Sequence, residues 1–159
     1  MSWQQILDTQ LLAKKTKQGW IRSCVESAAI LDLQDCSVWA CSRDFRLLRY
    51  SIPSDEGELE VDESQLLLQV LATGKTDPVL GLRISGLKYL LLRCDPARGL
   101  FYLRKQGGGG CLMRSTRALL FAAFSESLST TGAEEKSQSG PLCNDRVECL
   151  AEFLVSKGF

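Results

Sequence analysis

The hydrophobic pattern opens as a helical stripe. Trp3, Ile6, Leu7 and Leu11 recur at spacings of three and four behind Ser2, a residue type that caps helix N-termini, so the pattern predicts a short amphipathic helix. Residues 13–23 are polar and basic around Trp20 and read as a connector. Two strand-like runs follow at 27–31 and 37–41, joined by a turn at Gln34 and Asp35. Residues 43–60 lose the periodicity, become acidic and carry Pro53 and Gly57, which read as loop. Asp62 is placed to cap a second helix running to about Leu71, with Leu66, Leu67 and Val70 apolar and Gly74 as its stop.

From residue 79 the period shortens. Strands are expected at 79–84, 89–93, 99–105, 111–114 and 119–124, with turns at Ser85-Gly86 and at Asp95-Pro96-Ala97-Arg98. Residues 125–142, rich in Ser, Thr, Gly and Glu, read as a mobile loop. A last helix is expected from Asn144, its cap, to about Ser156, with Val147, Leu150, Ala151 and Leu154 on one face. Short strands separated by turn signals imply an antiparallel meander, so the fold class is α+β, a single domain over residues 1–159. A single sheet has two faces to cover, and helices at the two chain ends can cover one of them together.

Composition narrows the function classes. The 19 Lys and Arg balance 19 Asp and Glu, so the chain as a whole has no electrostatic case for binding nucleic acid. The balance is uneven along the chain. Residues 55–63 hold six acids, whereas 83–117 hold Arg83, Lys88, Arg93, Arg98, Arg104, Lys105, Arg114 and Arg117 against Asp95 alone. Such a stretch is either a solvated strand face or a surface for an acidic partner. There is no histidine, so no Ser–His or Cys–His nucleophilic pair exists, and no enzyme is expected. Seven cysteines with no C-x-x-C spacing suggest free thiols in a reducing, cytoplasmic compartment, with no secretory leader. No apolar run reaches membrane-spanning length. No cofactor or metal is expected, since the cysteines and carboxylates lack ligand spacing.

Three local features need weighing. Gly74-Lys75-Thr76 resembles the end of a phosphate loop, but Gln69 stands where that motif needs glycine, and the segment follows a helix; a helix stop is the better reading. The run Gly107-Gly108-Gly109-Gly110 lies between strand patterns, with Arg104 and Lys105 before it and Arg114 after it. It is either a loose hairpin tip or a basic contact surface without side chains. Trp3, Trp39 and Phe159 are large aromatics that would ordinarily be core. Two of them sit at the chain ends, however, and an aromatic ledge there would suit a polyproline II ligand, which is already ordered and presents flat ring faces.

The motifs together resemble the profilin family. Met1-Ser2-Trp3-Gln4 is similar to its N-terminus, and Ser27-Ala28-Ala29-Ile30 with Ser37-Val38-Trp39-Ala40 to its first hairpin. The segment from Gly81 to Tyr89 resembles G-L-x-x-G-G-x-K-Y, and that from Arg104 to Gly110 the glycine-rich K-K-G-x-G-G hairpin. Arg114 to Leu119 resembles K-K-T-x-x-A-L, and Arg146 to Phe159 is similar to V-V-E-x-L-x-D-Y-L-x-x-x-G-[YLF]. The resemblance implies a profilin-like central antiparallel sheet with the N- and C-terminal helices packed together on one face. It also implies a monomeric cytoplasmic and cytoskeletal protein that binds monomeric actin and proline-rich proteins such as formin-type assembly factors.

Residue by residue, the resemblance places Trp3, Ile6, Trp39, Phe153, Leu154 and Phe159 in the proline-rich peptide site. Lys88, Leu90, Leu91, Arg93, Arg104, Lys105, Gly109, Arg114 and Asn144 fall in the actin site. Anionic phosphoinositide lipids would use the same cations. Ile6 stands where many members carry Tyr and Phe153 where they carry His or Tyr, which removes polar contacts to a peptide. Asp145 replaces a basic residue of some members. The stretches 43–63 and 125–142 are longer than the family's usual loops, which marks a divergent member, of protist type. A profilin-fold adaptor that does not bind actin is the alternative.

Overall fold

The computed structural model describes residues 2–126 and 133–159, with the backbone alone over 133–139. The chain opens on α1 (Trp3–Leu7), whose N-terminus is closed by a capping box between Ser2 and Gln5. One wide π-helical turn (Asp8–Leu12) follows, and it keeps Leu11 as well as Leu7 fully buried. The expected connector is then a hairpin of its own, β1 (Ala13–Thr16) and β2 (Gly19–Arg22), with Lys15 opposite Trp20 and Lys14 opposite Ile21. Alternation was hidden there because the hairpin buries neither face, and all four residues of β2 are exposed.

Next come β3 (Ser27–Asp32), β4 (Val38–Cys41), a second hairpin of β5 (Arg49–Ser54) and β6 (Gly57–Asp62), and α2 (Glu63–Thr73). Residues 43–60 are thus not merely loop. Ile52 and Leu59 pair across the hairpin and are only half buried, which is why the apolar signal was thin. Asp62 caps α2 and Gly74 ends it in a left-handed conformation (φ 72°), so Gly74-Lys75-Thr76 is a helix stop. After a turn organised by Asp77, whose carboxylate accepts from the N–H groups of Val79 and Leu80, come β7 (Leu82–Ile84), β8 (Leu87–Asp95), β9 (Leu100–Lys105), β10 (Gly108–Arg114) and β11 (Ala118–Ser125).

The C-terminal helix α3 (Ala133–Ser156) is twice the expected length. Residues 133–142 are helical rather than a mobile loop, and 127–132 lie outside the described residues. Asn144 is therefore an interior, half-buried position and not a cap. Gly140 and Pro141 masked the start, because both are read as breakers in sequence; here Gly140 lies close against the Phe124 ring.

Seven strands form one antiparallel sheet in the order β4-β3-β11-β10-β9-β8-β7. One face carries α1 and α3, where Leu7 and Leu11 meet Ile30, Leu120, Cys143, Val147, Leu150 and Leu154. The other carries α2 and the β5–β6 hairpin, where Val61, Leu67 and Val70 meet Leu31, Phe101, Leu112 and Phe121. This is the α+β layout expected, with both chain ends on the same face. Among the described residues no helix is long and apolar enough to cross a membrane.

Buried Glu63 ties the second layer together. Its carboxylate, with no exposure, accepts from the N–H groups of Leu48 (2.9 Å), Ser85 (2.8 Å) and Gly86 (2.8 Å) and from the Tyr50 hydroxyl (3.1 Å). It fastens α2 to the β5–β6 hairpin and to the β7–β8 turn.

Candidate functional site

The first candidate surface forms where α1, the edge strand β4 and the end of α3 converge. Trp3 opens α1, Trp39 projects from β4 and Phe159 closes the chain. The Trp3 and Trp39 rings lie 4.8 Å apart, tilted by 42°, and the Phe159 ring meets Trp3 edge-on at 5.1 Å. All three are half buried, packed on the core below with an open side above. Such rings neither vanish into the core nor stand free, and they form a rigid ledge.

Its supports are specific. The side-chain amide of Gln4 donates to the Cys41 carbonyl (3.1 Å) and accepts from the Cys41 N–H (3.4 Å), so it pairs with the free edge of β4 as a neighbouring strand would. At the other end the Phe159 N–H donates to the Leu154 carbonyl (2.9 Å). The Phe159 backbone oxygen accepts from the Ser115 hydroxyl (2.7 Å) and the Arg117 N–H, while the Arg117 guanidinium lies 5.6 Å over the ring. A β10–β11 turn thereby fixes an aromatic that sequence alone leaves dangling.

The other expected ledge residues divide. Ile6 is half buried beside Trp3 and Phe153 is 46% exposed with the Lys157 ammonium 5.8 Å from its ring. Leu154, at 1% exposure, is core beneath Phe159 and offers no contact surface. Gln4, Ser115 and Arg117 escaped the sequence reading. Their signal was slight: they lie within the family-like segments, but nothing in the sequence marks them as supports of the rings.

The second candidate surface lies on the outer strands of the same sheet face. Strand alternation decides membership. Tyr89, Leu91 and Cys94 of β8 and Phe101 and Leu103 of β9 pack with the α2 layer, so Lys88, Leu90, Arg93 and Arg104 project from the opposite side. Leu90 sits directly across from Arg104, and Arg93 across from Tyr102 after a bulge at Leu92. Leu90 (59%) and Leu92 (62%) are exposed. The α3 flank next to these strands is marked by Glu148, paired to Arg98 at 3.0 Å, and Asn144 lies one turn before it. The result is a mixed apolar and cationic surface.

Four expected members leave this surface. Leu91 faces the α2 layer. Lys105 falls on that side too, its side chain only 10% exposed and held by Glu26 at 3.3 Å. Arg114 follows Leu112 by two and so shares its face, packed over Gly99 and donating to the Pro96 carbonyl. Gly109 is buried in β10: a Cβ there would come within 2.5 Å of the Leu103 carbonyl oxygen. Gly108, Gly109 and Gly110 are therefore buried strand interior, and only Gly107 sits in the exposed β9–β10 turn. Basic spacing in sequence did not show which face each cation takes.

The three buried thiols are disfavoured as thiolates. Burial pushes Cys111 up to about 12, Cys36 up to about 11 and Cys143 well above the ordinary thiol value.

A profilin family model matches residues 1–159. The chain belongs to the profilin family. Among curated relatives, the profilin of Tetrahymena pyriformis is 29% identical over 85% of this chain and 90% of its own, and profilin-3 of Dictyostelium discoideum 26% identical over the whole of both. Among solved structures, Schizosaccharomyces pombe profilin is similar at TM-score 0.64 and 26% identity, over 99% of this chain and all of its own. Mouse profilin IIa in complex with a double repeat from the FH1 domain of mDia1 is similar at TM-score 0.62 and 17% identity over both full chains, which shows the shared fold. At these identities the protein is a divergent profilin.

Proposed function

We propose that this profilin binds proline-rich peptides on the Trp3–Trp39–Phe159 ledge and monomeric actin on the Lys88–Leu90–Arg93–Arg104 surface, carrying monomers to proline-rich assembly factors. The observation that carries the reading is the ledge itself: three half-buried rings, with Trp39 and Phe159 each within 5.1 Å of Trp3. A polyproline II ligand packs its rings into such a ledge, and an indole N–H can donate to ligand carbonyls that have no partner of their own. Family membership and the fold shared with a profilin in complex with a formin FH1 repeat support the peptide half. Family membership and the cations beside exposed Leu90 and Leu92 support the actin half, as a match to an acidic partner. No catalytic step enters this reading.

Titration of the protein against a polyproline peptide, followed by tryptophan emission, tests the first surface. Trp3→Ala removes the ring that touches both others, and a loss of more than about thirtyfold in affinity is expected for such an anchor, with the fold retained by circular dichroism. Unchanged retention on polyproline beads would remove the ledge from the reading. Co-sedimentation with monomeric actin separates the two-surface profilin from an adaptor that does not bind actin. The departure of Leu91, Lys105 and Arg114 to the other side is what favours keeping that second reading in view.

A further inference from the structure

We propose that the β1–β2 hairpin is a docking finger for anionic lipid bilayers, separate from both surfaces above. Ten residues from Ala13 to Arg22 carry Lys14, Lys15, Lys17 and Arg22 and no acid. The same hairpin exposes Trp20 at 57% and Ile21 at 53%. Pairing places Lys15 beside Trp20 on one face and Lys14 beside Ile21 on the other, with Lys17 in the turn. Each apolar side chain thus has a cation next to it on a projecting tip.

Among the described residues, the hydrogen bonds that tie the finger to the rest of the chain lie at its base. The Ser23 N–H donates to the Leu12 carbonyl (2.9 Å), and the Ser23 hydroxyl donates to the Leu11 carbonyl. Arg146 of α3 reaches across to the carbonyls of Gln10 (3.1 Å) and Ala13 (2.8 Å). Beyond that base the hairpin leans over an open groove lined by Asp8, Leu12, Trp20 and Asp44, and it still leaves most of the Trp20 and Ile21 surface to solvent.

The occupant follows from shape and charge together. A convex two-stranded tip presents little area to another folded protein but presses easily into a soft interface. Indole rings partition to the headgroup level of a bilayer, and each nearby Lys or Arg adds attraction to an anionic surface. The chain is neutral overall, so the contact is local to the hairpin. The strand-face cations expected from sequence to meet lipid headgroups lack a projecting aromatic, and the hairpin has both parts. The proposal does not depend on peptide or actin binding.

Flotation of the full chain with vesicles of phosphatidylcholine, alone or with about a third phosphatidylserine, tests it. Retention on the anionic vesicles only, released by high salt, is expected. Lys14→Glu with Lys15→Glu and Lys17→Glu lowers the partition coefficient at least about a hundredfold. Trp20→Ala lowers it several-fold, and quenching of tryptophan emission by brominated acyl chains is lost in Trp20→Phe. Thermal unfolding confirms that each variant is folded; because these side chains are exposed, the midpoints stay near wild type. Equal retention on neutral vesicles, or unchanged retention in the hairpin variants, overturns the proposal. So does loss of retention in Arg93→Glu with Arg104→Glu alone, which would place the lipid on the strand face. No retention on either vesicle also overturns it and leaves an acidic protein surface as the partner for this finger.

Discussion

Glu63 shows how one side chain organises a layer. A carboxylate only accepts, and here four donors converge on its two oxygens. Glu63→Gln keeps the shape but turns one oxygen into a donor that faces N–H groups. We expect a loss of about 2–4 kcal/mol, read as a lower urea midpoint. The buried thiols act at the same scale through pH. Cys111 titrates near 9.0 when exposed and about 12 when folded, so above 9.0 the unfolded chain binds fewer protons than the folded one. Stability should hold through neutrality and fall from pH 9 toward 12, with Cys36 and Cys143 acting in the same sense. Urea midpoints measured from pH 7 to 11 check this, and Cys111→Ala should soften the slope. Residue identities such as Asp62 and Gly74 were legible in sequence because capping is local chemistry. Glu63, one position further on, looked like one more acid in an acidic run, since only tertiary contacts show its donors.

Elements were legible where at least one face is buried. Continuous apolar runs located β3 and β11, which are buried on both faces, and helical stripes located α2 and the C-terminal half of α3. They failed for the two side hairpins, which bury little, and for the start of α3, where Gly140 and Pro141 carry the opposite propensity. The glycine run misled for a related reason. Glycines next to cations suggested an exposed tip, whereas three of the four lie in β10, where neighbours come too close for a side chain. At Gly108 a Cβ would fall 2.0 Å from the Phe124 carbonyl oxygen. Gly108→Ala must therefore part β10 from β11, and we expect it to cost about 1–3 kcal/mol with early amide exchange in both strands. Gly107→Ala meets no atom within 4 Å, but its φ of 74° is itself unfavourable to alanine, so the milder effect expected there comes from backbone strain alone.

At the scale of the molecule, one sheet keeps the two candidate surfaces apart. The ledge belongs to the β4 edge and the chain ends, while Lys88, Leu90, Arg93 and Arg104 belong to β8 and β9 at the far side of the strand order. Arg93→Glu with Arg104→Glu should weaken monomer binding by about tenfold or more and leave polyproline affinity unchanged. Trp3→Ala should do the reverse. Combining them should give additive losses, as expected of sites without shared contacts, and a pyrene-actin assay beside the peptide titration reads both. The ring ledge was legible from the odd placing of large aromatics at the chain ends and from the family resemblance, because it joins positions 3, 39 and 159 and no periodicity links residues so far apart. Membership of the cationic surface was legible only in part, because strand parity decided it and a bulge at Leu92 shifts that parity.

That joining of distant positions has a kinetic consequence. The Trp3 and Phe159 rings meet across a long sequence separation, and closing so long a loop carries an entropic cost that local strand pairings do not. The ring ledge is therefore expected to complete after the local hairpins, so polyproline capture during refolding would report assembly of the whole fold rather than of its separate parts.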